Sequence, residues 1–405
     1  MDRKRFFKMT ALFASVYFVS YISRINYAAV IQAIVEDTGH LKSTLSLAVT
    51  GSFITYGIGQ VLSGIIGDKV APKKLILAGF IVTMCMNLLM PFMPSPSAMT
   101  AVWCVNGFAQ SLMWPPLVRI VSETFDGSDY KKSMLGVSIG SAAATILIYL
   151  GSPLLIQWFG WRSVFFAAAI VVFMEIILWQ FAYRPGNAVQ KREVKAEESG
   201  KTKIHWVYLF QPVMIAVFVS VAMQGALRDG VTTWMPSLIS ETYDLGASVS
   251  ILTGVLMPIF SFASYSLATW VYTKILKNPL SSAALFFGIG AGAAFIVYLT
   301  IGRTAAISAV FTAFINASMH GVNQMLTTMI PPFFKRYGMV STATGVINAF
   351  SYVGSASSTY LIALITEKAG WKTTVFIWLV LAVLGMVIVF LFARPFRKRF
   401  MEPEN

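Results

Sequence analysis

Apolar segments of about twenty residues recur along the whole chain, and they restrict its fold more than any other feature. A helix of that length crosses the ~30 Å hydrocarbon core of a bilayer. Inside lipid the backbone must satisfy its own hydrogen bonds, so such segments are helical. Only 12% of the 405 residues are charged, about half of the ~25% that is usual in soluble domains. The sequence therefore predicts an all-α membrane protein.

We predict twelve transmembrane spans, at residues 8–35, 43–67, 74–94, 97–122, 132–158, 162–184, 206–240, 247–273, 280–301, 304–331, 339–366 and 372–394. The long polar stretch 185–205 has the composition of a cytoplasmic linker. It separates an N-terminal half, residues 1–184, from a C-terminal half, residues 206–405. The basic N-terminus resembles that of a signal peptide, but no small-residue cleavage site follows, so we expect an uncleaved first span.

Lysines and arginines concentrate in short loops on one side of the predicted membrane. In a soluble protein the net charge of +14 would point to nucleic acid. With the N-terminus in the cytoplasm, however, 23 of the 31 basic side chains fall in cytoplasmic segments and five fall outside. This bias is typical of membrane topology. We therefore expect a multi-pass protein of the plasma or inner membrane with both termini cytoplasmic and no nucleic-acid partner.

The two halves repeat one another. Phe159-Gly160-Trp161-Arg162 before the sixth span matches Ala369-Gly370-Trp371-Lys372 before the twelfth, an offset of 210 residues. Arg24 in the first span and Arg228 in the seventh are 204 residues apart. Similar offsets predict two six-helix halves that are parallel repeats, with a solute site near the midplane where they meet.

Arg24 and Arg228 are the leading candidates for binding a solute. An arginine inside a span costs ~2.5–3.5 kcal/mol or more, so it needs a reason to be there. Tyr17, Tyr21 and Arg24 share one face of a helix, as do Gln224 and Arg228. Two guanidiniums facing one cavity would form a cradle for an oxyanion. The alternative is that each arginine pairs with an acid or a helix terminus and only stabilises the bundle.

Polar side chains also follow helical spacing in three other spans. They are Asn316, His320, Asn323, Gln324 and Thr327 in the tenth span, Asn348, Ser351, Tyr352 and Ser355 in the eleventh, and Ser138, Ser141 and Thr145 in the fifth. For the serines and threonines we favour helix packing. His320, Asn323, Asn348 and Tyr352 are candidate cavity residues, although a lone histidine on such a face is equally consistent with a hydrogen-bonded core residue.

Two carboxylates lie inside predicted spans, Glu175 in the sixth and Asp229 beside Arg228. Either is a candidate proton site in a coupled carrier. Successive residues of a helix point about 100° apart, so we expect Asp229 to point away from Arg228, and it need not share the ligand site. Asp68 and Arg119, near the cytoplasmic ends of the second and fourth spans, are expected to form a gating or structural ion pair.

Enzymatic chemistry finds no support in the sequence. It contains no phosphate-binding loop, no paired-carboxylate hydrolase site and no catalytic triad. Cys85 and Cys104 fall inside predicted spans, and their spacing supports neither a metal site nor a disulfide. We therefore predict a protein that is not an enzyme and uses neither a metal nor a cofactor.

Several motifs resemble those of a known family. Gly64-Ile65-Ile66-Gly67-Asp68-Lys69, followed by Lys73 and Lys74, resembles the signature loop of the major facilitator superfamily, with Ala71-Pro72 where a glycine is expected. Three further stretches resemble the organophosphate:phosphate antiporters of that superfamily. They are Tyr21-Ile22-Ser23-Arg24-Ile25-Asn26, Trp114-Pro115-Pro116 with Arg119, and Leu227-Arg228-Asp229-Gly230 with Trp234 and Pro236. The resemblance implies that the substrate phosphate is bound by Arg24 and Arg228, and that Tyr17, Tyr21 and Tyr352 line the cavity.

The sequence also departs from that family. Its glycerol-3-phosphate carriers have a lysine after the first arginine, a lysine in the second span and a histidine in the fifth. Here those places hold Ile25, Gln60 and the run Ala142–Ala144. The resemblance therefore implies a less cationic cavity, with Gln60 as a candidate ligand and a different phosphorylated solute or a carboxylate as substrate.

These observations lead to one main hypothesis and two alternatives. We expect a secondary transporter that exchanges a small organic phosphate for inorganic phosphate by alternating access, working as a monomer in the lipid bilayer. The first alternative is a proton-coupled symporter of organic anions, with Asp229 or Glu175 as the proton site. The second is a transport-like sensor that binds its ligand without turnover.

Overall fold

The computed structural model describes residues 3–40, 42–183, 206–244 and 256–402, and within these ranges it contains helices and no β-strand. The helices are α1 (Arg3–Thr38), α2 (Lys42–Gly67), α3 (Pro72–Leu89), α4 (Pro96–Ser111), α5 (Trp114–Thr124), α6 (Gly127–Phe159), α7 (Arg162–Ala182), α8 (Trp206–Leu209), α9 (Pro212–Tyr243), α10 (Leu256–Val271), α11 (Pro279–Thr300), α12 (Ala305–Asn323) and α13 (Val340–Phe396). Short 3₁₀ or π-helical turns occupy Met90–Phe92, Tyr272–Leu276, Gln324–Thr328, Pro331–Tyr337 and Arg397–Met401.

Helices occupy the predicted spans, which confirms the all-α prediction. Counting only the described residues, nine helices are long and apolar enough to cross a membrane. The start of the eighth predicted span, 247–255, lies outside the described residues. The predicted linker 185–205 also lies outside them, so the division of the chain at that linker stays a prediction.

The fourth predicted span is two helices, α4 and α5, rather than one. Pro115 and Pro116 occupy the first turn of α5. Proline has no backbone N–H, so neither residue can donate to the carbonyls of Ser111 and Leu112, four positions earlier. The helix therefore stops at Ser111 and restarts after a two-residue break, and this break sets the direction of α5.

Gly370 divides the long helical run α13 into residues 340–369 and 371–396. Its backbone has φ 73° and ψ 174°, a conformation that residues with a Cβ rarely adopt. Gly160 between α6 and α7 has nearly the same conformation, with φ 75° and ψ 167°. The two glycines occupy equivalent places in the repeated sequence, so the turn between the last two helices of each half is the same.

The tryptophan after each of these glycines forms an equivalent hydrogen bond. Trp161 Nε1 donates to Asp37 Oδ2 at 2.9 Å, and Trp371 Nε1 donates to Glu241 Oε2 at 2.8 Å. Arg162 Nη1 lies 3.0 Å from the same Asp37 oxygen. The hydrogen bonds from Trp161 and Arg162 lower the pKa of Asp37. The predicted repeat is thus present in side-chain contacts as well as in sequence.

The Cα atoms group into two compact units. Unit 1 contains Met1–Ile204 and Phe334–Ala349, and unit 2 contains His205–Phe333 and Phe350–Asn405. In unit 1, α1 packs against α6 and α7, α2 packs against α4, and α3 packs against α7. In unit 2, α12 is central and packs against α9, α10 and α11. Three other helices of its own unit therefore surround α12.

Candidate functional site

Arg24 is half-buried on α1 and lies over two tyrosine rings. Its guanidinium carbon is 4.2 Å from the ring centroid of Tyr21 and 4.9 Å from that of Tyr56. Each contact of this kind is worth ~0.5–2 kcal/mol, which offsets part of the cost of placing a guanidinium in a span. The sequence reasoning missed Tyr56, although it lies four residues before Gln60 and hence on the same face of α2.

The aromatic face predicted on α1 is present in unit 1. The rings of Tyr17 and Tyr21 are 4.9 Å apart at an angle of 66°. Tyr17 also packs 4.5 Å from the ring of Trp114, the first residue of α5. The break between α4 and α5 therefore fixes the position of an aromatic ring beside the predicted site. Together with Arg24, these residues form a surface that is both cationic and aromatic.

Gln60 and Asn348, both predicted to bind substrate, are hydrogen-bonded to each other. Asn348 Nδ2 donates to Gln60 Oε1 at 3.0 Å, and Gln60 Nε2 donates to the backbone oxygen of Ser111 at 3.4 Å. A Cβ at Gly345 would lie 2.1 Å from the backbone oxygen of Gln60, so this approach requires glycine. A substrate that binds either amide has to exchange one of these hydrogen bonds.

A buried polar network that the sequence reasoning missed holds α1 in place. Asn87 and Asn106 donate to the backbone oxygen of Ser23 at 3.3 and 3.1 Å. Gln110 Nε2 donates to Ser23 Oγ at 3.0 Å. These bonds join α1 to α3 and α4 and fix the depth of Arg24, the next residue along the chain. The sequence did contain a sign of this network, because its amide side chains lie inside otherwise apolar spans.

Arg228 on α9 forms a two-pronged ion pair with the next residue, Asp229. Arg228 Nε donates to Oδ1 at 2.7 Å and Nη2 donates to Oδ2 at 2.8 Å. The expected separation of these two side chains is therefore wrong. Their Cα–Cβ bonds do diverge on the helix, but the long arginine side chain curves around the helix surface to reach the carboxylate. The side chains are 12% and 27% exposed, so water screens the pair only in part.

Two neighbouring helices of unit 2 supply further partners for this ion pair. Asn323 Oδ1 on α12 accepts from Arg228 Nη1 at 3.2 Å. Ser355 Oγ on α13 donates to Asp229 Oδ2 at 2.5 Å. Asn316 Nδ2 donates to the backbone oxygen of Arg228 at 2.9 Å. The structure thus brings Asn323 together with Arg228, while Ser355 and Asn316 had not been predicted to bind solute.

His320 is half-buried on α12, where its Nδ1 lies 2.9 Å from the hydroxyl of Tyr265 on α10. The two rings are 5.4 Å apart and nearly perpendicular. This is the hydrogen-bonded arrangement that the core-histidine interpretation describes, and the sequence reasoning missed Tyr265. Tyr352 on α13 is half-buried.

Gln224 is buried and connects three helices of unit 2. Its Nε2 donates to the backbone oxygen of Met319 at 3.2 Å, and its Oε1 accepts from Ser351 Oγ at 3.3 Å. A Cβ at Gly354 would lie 1.8 Å from the backbone oxygen of Ala222, so α9 and α13 touch at the backbone. In this structure Gln224 therefore holds α9 in place against α12 and α13.

Asp68, directly after α2, binds the N-terminus of α13. Its carboxylate accepts from the backbone N–H of Ser341 at 3.0 Å and of Thr342 at 2.7 Å. The first N–H groups of a helix lack partners within the helix, and an anion there is stabilised by the helix dipole. Burial raises the pKa of Asp68 to about 6, and the hydrogen bonds from Thr342 and the charge of Arg119 oppose this only in part.

Arg119 forms its ion pair with Glu123, one turn further along α5, and not with Asp68 as expected. The Arg119 Nε to Glu123 Oε1 distance is 3.0 Å. Arg119 Nη1 donates to the backbone oxygen of Gly67, at the end of α2. The carboxylate of Asp68 is turned towards the helix terminus, so Arg119 holds the backbone beside it instead.

The second candidate proton site, Glu175, lies on α7 in unit 1. Its side chain is buried, and its Oε1 accepts from Ser15 Oγ on α1 at 3.0 Å. The two carboxylates inside spans therefore belong to different units, Glu175 to unit 1 and Asp229 to unit 2.

Metal binding has no candidate site in the described ranges. No group of three or more His, Cys, Asp or Glu side chains there could hold an ion. Both cysteines, Cys85 and Cys104, are free thiols.

Known proteins resemble this chain over nearly its whole length. The glycerol-3-phosphate transporter of Bacillus subtilis (strain 168) is 24% identical over 382 residues, which cover 87% of this chain and 84% of that protein. The probable hexose phosphate transport protein of Chlamydia trachomatis is 22% identical over 411 residues, covering 92% and 87%. The solved structure of the proton:xylose symporter XylE matches 97% of both chains with a TM-score of 0.79 at 13% identity, a likeness of fold alone.

The family described as the Major Facilitator Superfamily matches residues 13–358. Together with the relatives, this match confirms the resemblance to the organophosphate carriers that was drawn from the residues around Arg24 and Arg228. It also confirms the predicted twelve-helix fold and the prediction of a multi-pass membrane transporter that is not an enzyme. The chain belongs to the Major Facilitator Superfamily.

Proposed function

We propose that this protein exchanges a small organic phosphate for inorganic phosphate across the cell membrane by alternating access. The observation that carries the proposal is the pair Arg24 and Arg228, one half-buried arginine on the first long helix of each repeat. An ionisable residue inside a span marks a solute pathway by default, because its burial is costly. A guanidinium offers a planar fork of donors that fits phosphate oxygens.

The surroundings of the two arginines support a small phosphorylated sugar or polyol as the exchanged solute. Tyr21 and Tyr56 beside Arg24 present aromatic faces, and Asn323 beside Arg228 presents an amide. Aromatic faces and amides are the groups that contact the carbon skeleton and hydroxyls of such a solute. Among the relatives, the names glycerol-3-phosphate transporter and probable hexose phosphate transport protein agree with this solute class.

Alternating access needs a contact that forms in one state and breaks in the other. We assign this role to Asp68, whose carboxylate accepts from the first turn of α13. Arg119 supports the contact by binding the backbone oxygen of Gly67. Both residues then act in gating, and neither contacts the solute. Two cytoplasmic termini and function as a monomer are part of the same proposal.

A second candidate function is a proton-coupled symporter of organic anions. The observation that favours it is the presence of two carboxylates in the spans, the buried Glu175 and the half-buried Asp229. A carboxylate inside a membrane helix is the group that such a carrier protonates and deprotonates. This candidate differs from exchange in needing a pH gradient.

Counterflow in liposomes distinguishes the two candidates. Purified protein is reconstituted with inorganic phosphate inside, and uptake of phosphorylated and carboxylated solutes is followed with and without a pH gradient. Empty liposomes are the control. Exchange predicts uptake that needs internal phosphate and persists after the gradient is collapsed. Uptake that stops with the gradient, together with an inactive Glu175→Gln or Asp229→Asn protein, would replace exchange by symport. Binding without any flux would indicate a sensor.

A further inference from the structure

The ion pair between Arg228 and Asp229 occupies the part of Arg228 that is best suited to an oxyanion. Nε and Nη2 form the side-on fork of a guanidinium, and both donate to the two oxygens of one carboxylate, at 2.7 and 2.8 Å. Two oxygens of a phosphate would take the same two donors with the same geometry. Arg24, by contrast, has its guanidinium over the rings of Tyr21 and Tyr56.

We propose that Asp229 is a built-in counter-anion, which occupies the fork of Arg228 in the unloaded carrier and which the transported oxyanion displaces. This inference rests on the proposed function and adds to it an intramolecular competitor for the substrate. The competitor is on the same helix as the arginine, so its local concentration is high and constant. Substrate affinity then depends on how often the fork is open.

The contacts around the pair allow the displaced carboxylate to remain satisfied. Ser355 Oγ already donates to Asp229 Oδ2 at 2.5 Å. The same hydroxyl lies 2.9 Å from the backbone oxygen of Ser351, but a carboxylate is the stronger acceptor. The Asp229 side chain is also 27% exposed, so water reaches part of it. Ser355 is therefore the group that receives Asp229 when substrate takes the fork.

Other contacts hold Arg228 in position while its partner leaves. Asn323 Oδ1 accepts from Nη1, which is outside the side-on fork, at 3.2 Å. Asn316 Nδ2 binds the backbone oxygen of Arg228 at 2.9 Å. The guanidinium can thus exchange a carboxylate for a phosphate without a change in its own location.

A counter-anion also changes the charge of the unloaded site. Arg24 and Arg228 alone carry two positive charges, whereas the two arginines with an ionised Asp229 carry one. An occluded state without solute holds this charge inside the membrane and away from water, which is costly, so Asp229 makes the unloaded carrier easier to reorient. An unloaded carrier that reorients more easily allows more net transport relative to exchange. Removing the charge of Asp229 should therefore lower net transport relative to exchange.

The first test compares phosphate binding in the wild type, Asp229→Asn and Asp244→Asn by isothermal titration in detergent. Asp244, an exposed residue at the end of α9, undergoes the same chemical change away from the site. Removing the competitor should tighten phosphate binding about tenfold, and the Asp244 variant should match the wild type. In liposomes, Asp229→Asn should raise the ratio of phosphate exchange to net phosphate efflux. Unchanged or weaker binding in a folded Asp229→Asn protein overturns the proposal.

A second variant keeps both charges and predicts the opposite sign. Ser355→Ala removes a hydroxyl that bonds Asp229 in the paired state and bonds it more strongly once the carboxylate has lost its guanidinium partner. Phosphate binding should therefore weaken several-fold. If Asp229→Asn does not fold, Ser355→Ala still tests the proposal. A Ser355→Ala protein that binds phosphate as tightly as the wild type overturns the proposal, because the displaced Asp229 then needs no receiving group.

A third measurement needs no substrate and so separates this inference from the proposed function. Phenylglyoxal modifies accessible guanidiniums, and mass spectrometry reports the modified fraction of Arg228. Asp229→Asn should increase the rate several-fold, and Asp244→Asn should not. Faster modification with no phosphate binding in any variant would uphold the counter-anion and refute phosphate exchange. Equal rates in all three proteins would refute the counter-anion, whatever the counterflow result.

Discussion

Acidification should favour the closed state in which Asp68 is buried beside the first turn of α13. The carboxylate accepts from the backbone N–H groups of Ser341 and Thr342, and burial raises its pKa from 3.8 to about 6. A raised pKa means that the buried carboxyl group of Asp68 binds a proton more tightly than the same group does when the contact is open and the side chain is exposed. Its contribution to stability is therefore fully present below the ordinary pKa and is lost as the pH rises through about 6.

The size of this effect follows from the two pKa values. The interval between 3.8 and about 6 corresponds to about 3 kcal/mol between full protonation and full ionisation. About 1.4 kcal/mol of that falls between about pH 7.5 and about pH 5. Since 1.4 kcal/mol is a factor of ten, the contact should open about ten times less often at the lower pH. Asp68 is only 4% exposed, so screening by water reduces this figure little.

Hydrogen exchange of a peptide covering residues 338–345, corrected for the intrinsic effect of pH, measures this opening. The wild type should show about tenfold more protection near pH 5. Asp68→Asn, uncharged at both pH values, should show equal protection at both, while Asp244→Asn, which changes an exposed acid at the end of α9, should respond like the wild type. Wild-type protection that is constant or falls on acidification refutes the reasoning.

Three other changes test separate parts of the account. Gly354→Ala should destabilise the protein by ~1–3 kcal/mol or more, because its Cβ would lie 1.8 Å from the Ala222 oxygen. Gly292 has open space around it, so Gly292→Ala should stabilise the protein by ~0.5–1 kcal/mol. If the two glycine variants shifted the temperature of thermal unfolding equally, the packing argument would be contradicted. Tyr56→Leu should weaken phosphate binding about 2- to 30-fold while Tyr56→Phe retains most of it, and a leucine variant that binds normally would exclude the cation–π contact. Glu175→Gln should keep its counterflow rate, whereas a folded but inactive variant would favour proton coupling.

Composition and periodicity were sufficient to predict the helices and the repeat. Apolar length identifies a membrane helix because lipid leaves the backbone no other partner. The matched glycine turns at Gly160 and Gly370 were also visible as repeated sequence. The break between α4 and α5 was missed although its cause, Pro115-Pro116, is local. The fourth span was predicted as one helix because the apolar stretch is long, although its two prolines lack the N–H donors that a continuous helix needs.

Side-chain partners were harder to predict, because helical periodicity gives the direction of Cβ and not the reach of the side chain. Asp229 illustrates this, since its Cβ diverges from that of Arg228 and yet the two side chains form a two-pronged ion pair. The partner of Asp68 is distant in sequence, near residue 341, and only the folded chain brings the two together. Arg119 was accordingly assigned to the nearest acid in the predicted topology, and Glu123 within its own helix was overlooked.

In the proposed exchange, Arg24 and Arg228 each bind the transported anion. The most direct measurement is the rate of phosphate counterflow for Arg24→Lys and Arg228→Lys beside the wild type, in proteins matched for insertion and folding. Lysine keeps the charge and loses the fork, so each variant should lose about tenfold or more in rate, as expected for a lost charge-assisted hydrogen bond. Arg162→Lys, an exposed arginine paired with Asp37, is the matched control and should remain active. Near-normal counterflow in both variants would contradict the claim.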